Sequence, residues 1–173
     1  EPDKVEVTVA KATPTVTAPT AKTLIYTGEA QELVTAGSTT GGEMQYSLDG
    51  TNYSTTVPKG TEAGNYTVYF KVVGGDNYAD TPAASFTVTI ASADTGNTKP
   101  GAADALTYTG EAQALVTGGS VPGGDLLYAL GTDATTAPAL DSFTKDVPTG
   151  TNAGTYYVWY YVKGDANHND VLP

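Results

Sequence analysis

Three aromatic residues alternate along one short run, Tyr157, Trp159 and Tyr161, and in a β-strand such alternation puts all three on one face. A stripe of this kind suits stacking on the apolar C–H face of a sugar, with the polar ring edges free to hydrogen-bond. Its other use is packing against a neighbouring strand or loop. Two Asp/Asn-rich loops, Gly75 to Asp80 and Gly164 to Asp170, offer oxygen ligands. Asp76, Asp80, Asp165 and Asp170 are calcium candidates by chemistry, yet the loops lack the glutamate and the spacing of a helix-loop-helix calcium site. Asp and Asn also form turns by bonding to their own backbone, and that is the expectation here. No cofactor is implied.

Other reactive groups are sparse. His168 is the single histidine, and no serine or aspartate pattern around it marks a catalytic triad. Glu29 and Glu32, or Glu111 and Asp125, could be paired carboxylates for glycoside hydrolysis, but nothing implies a cleft around them. They read as solvated surface, and the chain reads as a non-enzyme. Cysteine is absent, which removes disulfides, cysteine-ligated zinc and thiol nucleophiles together. Eight lysines and no arginine stand against 19 acidic residues, for a net charge of -11. That field disfavours nucleic acid and anionic lipid headgroups as partners, and no apolar run is long enough to insert in a membrane.

The elements that would carry these groups repeat. Leu24-Ile25-Tyr26-Thr27-Gly28-Glu29-Ala30-Gln31-Glu32-Leu33-Val34 returns as Leu106-Thr107-Tyr108-Thr109-Gly110-Glu111-Ala112-Gln113-Ala114-Leu115-Val116, about 82 residues on. Val57-Pro58 with Ala63-Gly64-Asn65-Tyr66-Thr67-Val68 returns as Val147-Pro148 with Ala153-Gly154-Thr155-Tyr156-Tyr157-Val158, about 90 residues on. The second copy therefore carries an insertion of roughly eight residues, around Gly131 to Ser142, expected as a surface loop. Within each copy apolar residues alternate in short runs bounded by turn residues, the period of strands with one buried face. Tyr66, Val68, Phe70 and Val72 are expected inward with Thr67, Tyr69 and Lys71 outward; Tyr156, Val158, Tyr160 and Val162 take the inward face in the second copy. Ser47 to Tyr53 reads as a hairpin around Asp49-Gly50, with Gly28 and Gly110 in similar turns. Thr13 to Thr20, rich in Thr and Pro, reads as extended chain.

A third match sets the phase. Phe86-Thr87-Val88-Thr89-Ile90-Ala91 closes the first copy, and its nearest relative is Val5-Glu6-Val7-Thr8-Val9-Ala10. The second copy reaches Val171-Leu172-Pro173 without such a strand. The expected division is residues 1–12 as a closing or donor strand, 13–93 as repeat 1 and 94–173 as repeat 2. One account is a window cut out of phase from a longer array. Another is donation, in which Val5, Val7 and Val9 fill the open edge of another molecule's second repeat and build a head-to-tail fibre. The third makes residues 5–16 an ordinary first strand.

Short strands with closely spaced turn signals indicate an all-β fold of two tandem immunoglobulin-like antiparallel β-sandwich domains. The Ala-Gly-x-Tyr segments resemble the tyrosine corner of such sandwiches, with Tyr66 and Tyr156 in the structural role. With Tyr-Thr-Gly-Glu-Ala-Gln, Tyr-Ser-Leu-Asp-Gly, Ala-Gly-x-Tyr-x-Val and a Gly-Asp-rich turn in this order, nearly the whole chain resembles the tandem bacterial Ig-like and MBG-type repeats of large surface proteins. The resemblance implies an extracellular, bacterial cell-surface stalk or adhesin whose partners are neighbouring repeats, with a glycan or host protein as the alternative partner. It implies no catalytic residue. Lysine–asparagine isopeptide bonds would suit such a stalk, but Lys22 aligns with Asp104 and Lys71 with Tyr161, so no lysine is kept between matched blocks. Asn52 and Asn65 fit the N-glycosylation pattern, which carries little meaning in a bacterial chain.

Overall fold

The computed structural model describes residues 3–173 and is all-β, with several small sheets and no α-helix among the described residues. The chain divides between Ala91 and Ser92 into two compact units. Sequence matching ends repeat 1 at 93; the divide comes earlier because Ser92 and Ala93 already bond to the far end of the second unit. The Ala93 N–H donates to the Asn167 carbonyl at 2.9 Å, and Asn169 Nδ2 donates to the Ser92 carbonyl at 3.4 Å.

Unit 1 contains β1 (Val16–Thr17), β2 (Thr20–Ala21), β3 (Leu24–Ile25), β4 (Gln31–Glu32), β5 (Val34–Thr35), β6 (Ser38–Thr39), β7 (Glu43–Ser47), β8 (Lys59–Gly60), β9 (Gly64–Val73) and β10 (Ala84–Ala91). Its main sheet has the order β3-β10-β9-β7, flanked by the pairs β1-β6, β2-β5 and β4-β8. β10 runs antiparallel to β9 from Ala84↔Phe70 to Ile90↔Gly64, and parallel to β3 at Ile90↔Leu24 and Ala91↔Ile25. Alternation along β9 and β10 sends Val68, Val88 and Ile90 into one cluster with Leu33, Val34 and Tyr46. Phe70 and Phe86 meet edge to face at the margin, centroids 6.1 Å apart.

The hairpin after β7 is built on one carboxylate. Asp49 accepts from the backbone N–H groups of Thr51 and Asn52 at 2.8 Å and from the Ser47 hydroxyl at 2.7 Å, while Gly50 takes a positive φ of 74°. On β9, paired beside β7, Lys71 places its ammonium 4.1 Å from the centre of the Tyr53 ring at the end of this loop.

Unit 2 contains β11 (Gly101–Ala102), β12 (Gln113–Ala114), β13 (Val116–Thr117), β14 (Gly124–Gly131), β15 (Thr149–Gly150) and β16 (Tyr157–Gly164). Its pairs β11-β13, β12-β15 and β14-β16 occupy the repeat positions of β2-β5, β4-β8 and β7-β9. The insertion follows β14 and includes a short 3-10 turn, Leu140–Ser142. Thr95 is buried where the matching residue of unit 1 is Pro14, and its hydroxyl has no hydrogen-bond partner.

One packing device is common to both units. The Tyr66 hydroxyl donates to the Glu62 carbonyl, and that of Tyr156 to the Asn152 carbonyl, each at 2.8 Å. Each ring lies on a glycine: a Cβ at Gly60 would sit 2.7 Å from the Tyr66 ring, and one at Gly150 would sit 2.7 Å from the Tyr156 ring. Gly60→Ala is therefore expected to lower the stability of unit 1 by about 1–3 kcal/mol through overpacking. Gly150→Ala is expected to cost less, because Tyr156 is exposed and its ring can swing outward. Denaturant melts of the two variants, read against the parent, check the order. At Thr95, Val in place of Thr removes an unpaired buried hydroxyl at nearly constant shape, and a gain of about 1 kcal/mol is expected in the same melts.

Candidate functional site

Unit 1 shows what a completed copy looks like. β10 presents Phe86, Val88 and Ile90 to the core between β9 and β3, and Leu33 and Val68 beneath it are fully buried. The Tyr26 N–H donates to the Ala91 carbonyl at 2.8 Å, locking the end of β10 to the segment after β3.

In unit 2 the matching positions are uncovered. Leu115 and Val158 are only half-buried, Leu106 is 46% exposed and Tyr108 is 64% exposed. β16 pairs with β14 on one edge, while on the other only Val162 is engaged, exchanging hydrogen bonds of 2.8 and 2.9 Å with Val171. From Tyr157 to Tyr161 that second edge pairs with no strand among the described residues. Beside it runs a cleft of about 560 Å³ whose lining includes Leu115, Val116, Tyr156, Val158 and Tyr160. A smaller cleft of about 180 Å³ continues it past Leu106, Tyr108 and Gly150. The lining is mostly apolar, and the free edge supplies backbone donors and acceptors, the two requirements for adding a strand.

The matching strand pattern lies at the other end of the chain. Val5, Val7 and Val9 are 84%, 80% and 91% exposed, and residues 3–11 pair with no strand among the described residues. Lys11 donates from its ammonium to the Gly75 carbonyl at 2.6 Å, and the first described residue held through its backbone is Ala12, whose N–H donates to the Asn77 carbonyl and whose carbonyl accepts from Ala79, both at 2.9 Å.

The aromatic stripe runs along the same stretch of β16, with Tyr157 and Trp159 also lining the larger cleft, and its members divide. Tyr161 is buried at 7% exposure against Phe143 of the insertion, ring centroids 5.1 Å apart and edge to face. Trp159 is half-buried and its indole N–H donates to the Asp133 carbonyl at 3.2 Å. Tyr157 is half-buried at the start of the strand. The face expected to point outward therefore carries its own small core, Ala129, Phe143 and Tyr161 with Leu127 and Trp159 packed on it. Of the residues expected inward, Val162 is fully buried, whereas Tyr156, Val158 and Tyr160 are less covered than Tyr161. The insertion covers one face, and among the described residues no strand in the place of β10 covers the other.

The acidic loops act on their own backbone. Asp80 accepts from the Gly74 N–H at 2.9 Å and Asp170 from the Gly164 N–H at 2.8 Å. Asp165 accepts from the Asn167 N–H at 2.8 Å and lies 2.7 Å from His168 Nδ1. Asp76 is exposed, and no group of three or more His, Cys, Asp or Glu side chains that could hold a metal ion comes together among the described residues. His168 also packs on Gly123, where a Cβ would meet the imidazole, as Tyr78 packs on Gly41 in unit 1. The candidate acid pairs are apart in role: Glu32 bridges to Lys22 at 2.9 Å, Asp125 to Lys145 at 2.7 Å, and Glu29 and Glu111 sit in exposed turns whose N–H groups bond to Thr27 and Thr109. None of the eight lysines is buried. Asn52 donates to Asp49, and Asn65 accepts from the Thr89 hydroxyl.

Comparison with family models, with curated proteins and with solved structures yields no match.

Two expectations follow from this geometry. Phe143→Ala removes the clamp over Tyr161 and is expected to cost about 3 kcal/mol, with a red shift of Trp159 emission as the insertion lifts away; unchanged fluorescence and melting would contradict the packing role. The second concerns pH. Backbone and hydroxyl donors from Thr135 and Thr136 hold the Asp133 carboxyl down to about 2, and hydrogen bonds led by Asn52 hold Asp49 lower still. The His168 hydrogen bond lowers Asp165 and the Lys22 bond lowers Glu32. Folded values below the unfolded ones mean that these groups stabilise the fold above the ordinary carboxylate range and lose that contribution as pH falls through it. The melting temperature is thus expected to drop as pH falls from about 4 towards 2, and Asp49→Asn to flatten part of that drop, as read by circular dichroism at stepped pH.

Proposed function

We propose that this chain is a non-enzymatic structural segment of an extracellular bacterial surface protein, two immunoglobulin-like β-sandwich repeats that serve as a stalk or spacer. The observation that carries the reading is the repeated junction. Ala10 of the first strand pattern precedes the anchored Ala12 by two residues, and Ala91 at the end of β10 precedes the anchored Ala93 by the same two. Ala12 bonds to Asn77 and Ala79, and Ala93 bonds to Asn167 and Asn169, at distances of 2.8 to 2.9 Å. A closing strand thus leads almost at once into the anchor of the following copy, the grammar of an array in which each repeat is one folding unit.

The residues shared by the copies also favour a scaffold. Matched positions are those that shape backbone or fill core: Gly60 and Gly150 under their tyrosines, Tyr46 and Tyr128 in the cores, Asp80 and Asp170 in the turns. The acidic, cysteine-free composition suits a soluble extracellular segment. His168 and the carboxylates Glu32 and Asp125 are engaged in turns or ion pairs on the surface, where no reacting group is gathered.

A panel of glycans and host extracellular proteins, presented to the full chain and to a Trp159→Ala variant, tests the spacer reading. The expected outcome is no specific binding by either. Binding by the parent that is lost in Trp159→Ala would replace the spacer with an adhesive module acting through the Tyr157, Trp159 and Tyr161 face.

A further inference from the structure

We infer that unit 1 is built to carry tension along the chain: it is held at opposite ends of its main sheet, so a pull along the chain loads β10 in shear, all of its pairs at once, instead of peeling it. This rests on the stalk reading, and it adds the direction of the load and the strand that resists it.

The two ends follow from the register. β9 and β10 run antiparallel from Ala84↔Phe70 to Ile90↔Gly64, so one end of the sheet holds the close of β9 and the start of β10, and the other holds Gly64 and Ile90. The chain enters at the first end. Ala12 is bonded to Asn77 and Ala79 in the loop between β9 and β10, and the Lys11 ammonium reaches the Gly75 carbonyl of the same loop at 2.6 Å. It leaves at the other end, after Ala91, and Ser92 alone separates that exit from Ala93, which is bonded to Asn167 and Asn169. From Ala12 the chain passes through β1 and β2 to β3, which lies at the exit end, parallel to Ile90 and Ala91. Tension that draws Ala12 and Ala91 apart therefore acts along the strand axis, over the 8 residues of β10, a span of about 25 Å. It pulls the parallel neighbours β3 and β10 in opposite directions.

Sliding β10 along its axis requires its pairs with β9, its pairs with β3 and the bond from the Tyr26 N–H to the Ala91 carbonyl to break together. It also drags side chains through a packed core. Val88 and Ile90 lie against Leu33 and Val68, so a slip of one residue turns Thr87 and Thr89 inward in their place. The alternation is regained only after two residues, a slide of about 7 Å. The Thr89 hydroxyl, which donates to the Asn65 side-chain carbonyl at 2.7 Å, and the edge-to-face contact of Phe70 with Phe86 fix the same register. A pull that separates β9 from β10 at the Gly64 end makes no such demand, because it opens one pair at a time.

The test uses the full chain, which contains no cysteine, so that paired cysteines alone place the handles of an optical trap. Ala10→Cys with Ser92→Cys pulls unit 1 between its entry and its exit. Glu62→Cys with Ser92→Cys pulls β9 and β10 apart from one end, because Glu62 lies two residues before β9 and so beside the exit. Ala10 and Glu62 are exposed and Ser92 is half-buried beyond the end of β10, so both variants are expected to keep the parent's melting curve. Forced unfolding reads the unfolding barrier and not the equilibrium stability, so two directions through one fold can differ while the melt does not. The entry-to-exit pull is expected to give one abrupt lengthening of about 250 Å, the extended chain between the handles less the folded span. Its force is expected to be several-fold above that of the Glu62 pair. Equal forces in the two directions overturn the proposal, as does loss of unit 1 in a series of small steps along the entry-to-exit axis. Either result leaves the spacer reading standing, because that reading fails on ligand binding, and ligand binding in turn leaves the comparison of forces intact.

Discussion

A strand inside a sheet must find hydrogen-bond partners on both edges while burying one face, and in unit 1 that position belongs to β10. It joins β9 to β3, and its Val88 and Ile90 close the cluster formed by Leu33, Val34, Tyr46 and Val68. Each such side chain contributes about 1.5–3 kcal/mol when fully buried, against a net stability of about 5–15 kcal/mol for a whole domain. One strand of this kind is a large share of what holds a small unit together. The remaining features of unit 1, short ladders such as β1-β6 and β4-β8, are two residues long and depend on that core for their place.

Unit 2 keeps counterparts of several unit 1 ladders, but the β14-β16 pair stands where unit 1 has four strands, and part of its covering lies on the opposite face. Its β16 carries the residues that would meet a β10 equivalent, yet Val158 and Tyr160 stay half-covered, while the opposite face has acquired Phe143 from the insertion and buries Tyr161. The aromatic content of β16 is explained by that second contact. Where unit 1 has Thr67, Tyr69 and Lys71 on this face, a strand facing solvent and a short hairpin needs little apolar area. Unit 2 packs a longer loop there, and aromatic side chains supply the area and the edge-to-face geometry.

Turn chemistry accounts for three of the four aspartates that first invite a calcium reading, Asp80, Asp165 and Asp170. Asp49, Asp80, Asp133, Asp165 and Asp170 each accept backbone N–H groups within their own loops. Their charge is used locally, to close loops between strands that could not otherwise be so short. Glu32 and Asp125 pair with lysines at the surface, where ion pairs add little to stability.

The sequence by itself determined the repeat, its insertion, the strand period and the places of the corner tyrosines and turn glycines, because these depend on local spacing alone: Tyr66 reaches Glu62 four residues away, and Gly50 needs only its own φ. The closing-strand pattern at Val5 to Ala10 was equally legible, being a period-2 alternation. The inward face of β9 was legible too, since Val68 and Val72 are fully buried, and what only the tertiary structure decided is that the second face of β16 is covered as well. Alternation separates two faces without ranking them, so Tyr161 reads as outward although Phe143, brought back from a loop many residues away, buries it. The same limit hid the role of His168, whose ring lies on Gly123, a contact between distant segments that no spacing encodes. And the open edge of β16 exists only once β14 is paired on its other side and Val171 is bonded to Val162, because a free edge is a property of the assembled sheet and not of any strand within it.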